Sequence, residues 1–170
     1  DDGYTWKVTG FADDTSDVVA IEVSPSWTND DTVIVATQND VYISQDRGKN
    51  FDSLAFGGGV ITSMDVSLDD NGNCVVVVGD NTDVWLLKSW TGWTVQNIAD
   101  DLAAFGGVLA VAFSPNYADD GTIFAVVNAR PITEVLALAP RAMLRAETDI
   151  NTNNWGSYIL DAGVFDEKTD

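Results

Sequence analysis

The chain has 170 residues, with 27 acidic against 8 basic side chains, a formal net charge of −19, no histidine and a single cysteine. So many carboxylates repel nucleic acid and anionic lipid surfaces, which makes both poor partners, and favour cations. Without histidine there is no Ser-His-Asp or Cys-His pair and no usual zinc cluster, and the lone Cys74 excludes an internal disulfide.

The chain opens with Asp1-Asp2-Gly3-Tyr4-Thr5-Trp6, a D-x-G-x-x-W run, and a short leading strand is expected over 4–9. Val19-Ala20-Ile21-Glu22-Val23-Ser24-Pro25 alternates as a strand, and an acidic turn, Asn29-Asp30-Asp31, follows it. Thr32 to Thr37 is nearly all apolar, as suits a strand covered on both faces. A third strand starts at Asp40-Val41-Tyr42-Ile43 and runs into Ser44-Gln45-Asp46-Arg47-Gly48-Lys49-Asn50-Phe51. In that octet Ser44 and Asp46 flank a tight turn and can accept hydrogen bonds from its free amides. Gly48 takes the positive-φ position and Phe51 closes the gap beneath.

The same order returns twice. Thr62-Ser63-Met64-Asp65-Val66-Ser67-Leu68 and Leu109-Ala110-Val111-Ala112-Phe113-Ser114-Pro115 repeat the opening strand. Asp69-Asp70-Asn71-Gly72-Asn73 and Ala118-Asp119-Asp120-Gly121 repeat the acidic turn, and Cys74 to Gly79 and Thr122 to Val127 repeat the apolar second strand. Fourth strands start at the aromatic landmarks Phe51, Trp93 and Trp155. A period of roughly 43 residues holding four short strands is the length of a β-propeller blade. The chain is therefore expected to be all-β, one unit over 1–170, with blades at about 18–54, 60–98 and 107–160. A sandwich would not repeat strand, acidic turn and aromatic in phase, and solenoid coils are usually shorter. Both ends fall inside the pattern, so the chain is expected to be a segment of a longer array or a protomer that closes a ring with further copies.

Ser44 to Phe51 fits S-x-D-x-G-x-x-[W/F] and resembles the Asp box of sialidase-like β-propellers; Asp1, Gly3 and Trp6 resemble a second box lacking its serine. The blade length is also similar to that of xyloglucan-cleaving glycosidases, sortilin-type receptors and photosystem assembly factors. The nearest resemblance is to large bacterial or archaeal surface proteins with repeated S-P-N-[FY]-x-x-D-G-T-[IL]-[FY] strands. Ser114-Pro115-Asn116-Tyr117-Ala118-Asp119-Asp120-Gly121-Thr122-Ile123-Phe124 fits that phrase throughout. Such a resemblance implies an architecture, with the box on the outer rim away from any active site. Sialidases carry three arginines, a Tyr/Glu nucleophile pair and an acid Asp. Here Arg47 lies inside the box and Arg130, Arg141 and Arg145 cluster in one repeat, which does not match that set.

Three features remain open at the sequence level. The paired aspartates suit hydrogen-bonded turns, yet Asp69, Asp70, Asn71 and Asn73 also offer oxygens for calcium, and excess aspartate also suits high salt. The third repeat is about 20 residues longer than the others, over 129–149, an extended hairpin between third and fourth strands or a docking element carrying Arg130, Arg141 and Arg145. Trp6, Trp93, Trp155 and Trp85 read as core, leaving Trp27 and Trp90 for carbohydrate stacking. The expected function is a non-enzymatic extracellular or cell-surface module, part of a surface layer, sheath or filament, with adjoining blades or like subunits as partners. The alternative is a fragment of an Asp-box glycoside hydrolase.

Overall fold

The computed structural model of the chain describes residue 3, residues 5–11, 16–89, 92–99 and 107–127, and the backbone of two further strands over 141–146 and 155–160. It is an all-β structure of three four-stranded antiparallel sheets, each a meander in chain order. The first sheet holds β1 (Val18–Val23), β2 (Val33–Thr37), β3 (Val41–Ser44) and β4 (Asp52–Ser53). The second holds β5 (Ile61–Leu68), β6 (Cys74–Asp80), β7 (Val84–Lys88) and β8 (Thr94–Ala99). The third holds β9 (Val108–Phe113), β10 (Ile123–Val127), β11 (Arg141–Ala146) and β12 (Trp155–Leu160). Among the described residues the three sheets form no closed ring.

Alternation along β6 explains how the sheets stack. Its residues are buried throughout, but successive side chains leave opposite faces of a strand. Cys74, Val76 and Val78 join Ile34, Ala36, Val41 and Ile43 of the first sheet in one core. Val75 and Val77 join Val108, Val111, Ile123, Ala125 and Val127 of the third sheet in another. The second sheet is thus covered on both faces, and its first strand β5 lies against both β1 and β9. Polar ties hold the stack in register. Ile61 N donates to Gln38 O at 2.9 Å, the Thr62 hydroxyl to Val108 O at 2.7 Å, and Phe113 N to Asp65 Oδ2 at 2.7 Å.

Two of the expected acidic turns close as single helical turns, α1 (Trp27–Asp30) and α2 (Tyr117–Asp120). Their networks coincide. The Ser24 hydroxyl donates to Asp30 at 2.6 Å while Asp30 accepts Thr32 N at 3.1 Å. Ser114, Asp120 and Thr122 repeat this at 2.7 and 2.8 Å. The backbone then leaves each turn through a left-handed residue, Asp31 or Gly121.

Two expectations are corrected. Residues 5–9 form no strand, and Trp6 and Val8 are 91% and 100% exposed, so Trp6 is no core plug. A strand needs a partner's ladder, whereas this segment is held next to β3 and β4 through Gly10 N, which donates to Lys49 O at 2.9 Å, and through Phe11. The extra length of the third repeat lies between its second and third strands. Arg141-Ala142-Met143-Leu144-Arg145-Ala146 is itself the third strand, paired with β10 from Ala146↔Ile123 to Ala142↔Val127 and with β12 on its other edge.

Candidate functional site

Ser44, Asp46, Gly48 and Phe51 come together at the β3–β4 turn. Ser44 Oγ accepts Gly48 N at 2.9 Å and donates to Asp46 Oδ1 at 2.8 Å. Asp46 Oδ1 in turn accepts Lys49 N and Asn50 N, both at 2.9 Å, and Oδ2 accepts Asn50 Nδ2 at 2.7 Å. These bonds, those from Asn50 foremost, pull the Asp46 carboxyl down to about 2. Gly48 sits at φ +76°, and Phe51 meets Phe11 edge-on at 5.4 Å, with Phe11 also edge-on to Tyr42 at 5.1 Å. The turn is a closed, self-satisfied device with its acceptors already occupied by its own chain. Gly3 has φ +81° but lies outside any strand, and Asp1 lies outside the described residues.

The loop at 69–73 is likewise a hydrogen-bonded turn. Asp69 Oδ1 accepts Asn71 N at 3.0 Å and Asn73 N at 2.7 Å, and Oδ2 accepts Asn73 Nδ2 at 3.1 Å, while Asp70 accepts Asn71 Nδ2 at 2.7 Å. The two aspartates therefore spend acceptors on the turn itself, and among the described residues no three Asp, Glu or Cys side chains gather as a metal set. An open cleft of about 450 Å³ separates this turn and Lys88 from Tyr117. Burial, with Asp69 and Asp70 beside it, pushes the Tyr117 hydroxyl up to about 12.

The structure also holds a site that sequence reasoning missed. Asp80, at the end of β6, is fully buried with no exposed surface. Its Oδ1 accepts Thr82 N at 2.6 Å, Thr82 Oγ1 at 2.7 Å and Asp83 N at 2.6 Å; its Oδ2 accepts Gly59 N and Trp85 Nε1, both at 2.7 Å. Burial alone would raise this carboxyl, but the donors outweigh it and hold the group below the ordinary carboxylate range. Trp85 is fixed edge-on to Phe56 at 5.3 Å by the same arrangement. In the first sheet Thr37, equally buried, takes the place of Asp80, its hydroxyl accepting Asn39 N at 3.3 Å and Asp40 N at 3.1 Å. The visible signal is the polar run Asp80-Asn81-Thr82-Asp83 between two apolar strands, which looks like an ordinary solvent turn.

Glu22 and Asp65 occupy equivalent positions on β1 and β5. Burial and the nearby Asp65 charge raise the Glu22 carboxyl, while Asp65 accepts Val66 N at 2.8 Å and Phe113 N at 2.7 Å. Asp65 thus works as a strap between β5 and β9. Trp27 is half-buried in α1, and Trp93 has its indole N–H buried without a hydrogen-bond partner. Trp90 and Arg130 lie outside the described residues, and Arg141 and Arg145 fall on one face of β11 by strand alternation. Among the described residues no helix is long and apolar enough to cross a membrane. By sequence the chain matches no protein-family model and no curated protein. Fold and site together define an all-β protein of serial four-stranded antiparallel sheets whose prominent carboxylates are engaged by backbone turns.

Proposed function

We propose that the chain is a non-enzymatic structural and binding module built from Asp-box β-propeller blades, serving at the cell surface as part of a layer, sheath or filament. The observation that carries this reading is the serial stack: three four-stranded meanders, first strand beside first strand, with the Asp-box turn joining β3 to β4. The occupied carboxylates add to it, since a glycoside hydrolase needs one acid and one base or nucleophile aimed at a substrate. Asp46, Asp69 and Asp80 are instead ringed by amide donors of their own turns. Incubation of the purified chain with sialosides and β-glucans is expected to give no turnover, and surface labelling of intact source cells is expected to tag the protein. Turnover abolished by one carboxylate substitution would replace this reading with the glycoside hydrolase.

A further inference from the structure

The open face of the first sheet has two counterparts inside the molecule. Val18, Ile21 and Val23 of β1 correspond to Ile61, Met64 and Val66 of β5 and to Val108, Val111 and Phe113 of β9. The registers prove it, because Ile21 pairs with Val35, Met64 with Val78 and Val111 with Ala125. In the second sheet this face packs on the sheet before it, and Met64 is 7% exposed; in the third it does the same, and Val111 is 8% exposed. In the first sheet no other sheet among the described residues covers this face, and Val18, Ile21 and Val23 are 55%, 64% and 50% exposed. Phe11 covers only the outer part of this face, next to Tyr42 and Phe51.

At the opposite end of the stack, one face of the third sheet points away from the second. Ile123, Ala125 and Val127 pack inward, so Phe124 and Val126 point outward, half-buried, beside the exposed Ala110 and Ala112 with which they pair. Ala112 stands where the other first strands carry Glu22 and Asp65, so these four side chains are themselves uncharged on a chain of net charge −19, and Arg145 of β11 is the residue paired with Phe124 at their edge. An exposed apolar face equivalent to those covered in the second and third sheets, and an outward face of the third sheet, thus coexist on one chain.

We propose that the open face of the first sheet seats the third sheet of a second copy of this chain, so that copies join head to tail. The inference deepens the structural-module reading and rests on it. The contact continues the two sheet-on-sheet interfaces already present within the chain. It joins two different surfaces, so repetition leads to a closed ring or an open filament rather than a two-fold dimer.

Sedimentation velocity of the full chain, from low micromolar to submillimolar, is expected to show masses of two or more chains. Ile21→Asp and Phe124→Asp should each sediment as a single chain, and an equal mixture of the two should form a heterodimer that grows no further, because each supplies the face the other lost. Val18→Asp and Ala112→Asp, at exposed positions on the same two faces, repeat the test if either first variant loses its far-ultraviolet β signal. A wild-type chain that stays single throughout would overturn the proposal. So would association that survives Phe124→Asp and Ala112→Asp while Ile21→Asp abolishes it, the mark of a symmetric face-to-face dimer. Neither result would touch the non-enzymatic reading, which falls only to catalytic turnover.

Discussion

Replacing Asp80 with asparagine keeps the side chain's volume but removes one of its two acceptor ends. With the amide oxygen placed toward Thr82 and Asp83, the NH₂ group faces Gly59 N and Trp85 Nε1, which both donate to Asp80 at 2.7 Å in the native protein. The reverse placement is worse, since three donors then face the NH₂. At about 1–3 kcal/mol for each buried donor left unpaired, the two lost bonds amount to about 2–6 kcal/mol. For a chain of this size that lowers Tm by roughly 10 °C. Urea unfolding followed by far-ultraviolet circular dichroism at neutral pH measures the loss. The deficit should also depend on pH. Folding holds the Asp80 carboxyl below its unfolded value, so its contribution is complete above the unfolded pKa of about 3.9 and is lost as pH falls through the folded one. Asparagine does not titrate, so the gap between the two proteins should narrow on acidification. A D80N chain within ~0.5 kcal/mol of wild type at neutral pH, or a deficit unchanged on acidification, would refute the buried-carboxylate account.

Gly79→Ala would place a Cβ 2.7 Å from Val108 Cγ1 and 3.0 Å from Val111 Cγ1, wedging the second and third sheets apart. A loss of about 1–3 kcal/mol is expected in the same urea titration, and an unchanged midpoint would show that the sheets are less closely seated than these contacts require. Cys74 lies buried in the core between the first and second sheets, where burial pushes its thiol up to about 11. An aromatic disulfide reagent at mildly alkaline pH should leave the native thiol unmodified and react with it promptly in denaturant; equal rates in the two states would contradict that burial.

The stack has a consequence for how the acidic charge is carried. Glu22 and Asp65 repeat at one position of the first strands, where burial and mutual repulsion raise Glu22, yet Asp65 is steadied by two backbone amides. Backbone donors serve the same purpose at Asp30, Asp40, Asp46, Asp69, Asp80 and Asp120. A chain rich in aspartate and poor in cations therefore satisfies its carboxylates with amides, which turns supply in every repeat.

Much of this was legible without coordinates because it is local. The Ser44 to Phe51 turn closes over a few residues, so residue types alone specify its bonds, and the unbroken apolar run from Cys74 to Gly79 requires cover on both faces of its sheet. The D-x-G-x-x-W run at the N-terminus suggested a strand equally well, but strand formation is settled by a partner's ladder, and residues 5–9 form no strand. The third strand of the last repeat was hidden for the same reason: Arg141 to Ala146 has no strong alternation, and its pairing with β10 is what fixes it. Asp80 is the clearest divide. In sequence it belongs to a polar turn like several others, and its neighbours Thr82 and Asp83 supply donors within three residues. Its burial and the donor from Gly59, 21 residues earlier, arise only when the segment between the first two sheets folds against the β6–β7 turn, since composition encodes short-range hydrogen bonds while packing alone brings distant groups to one carboxylate.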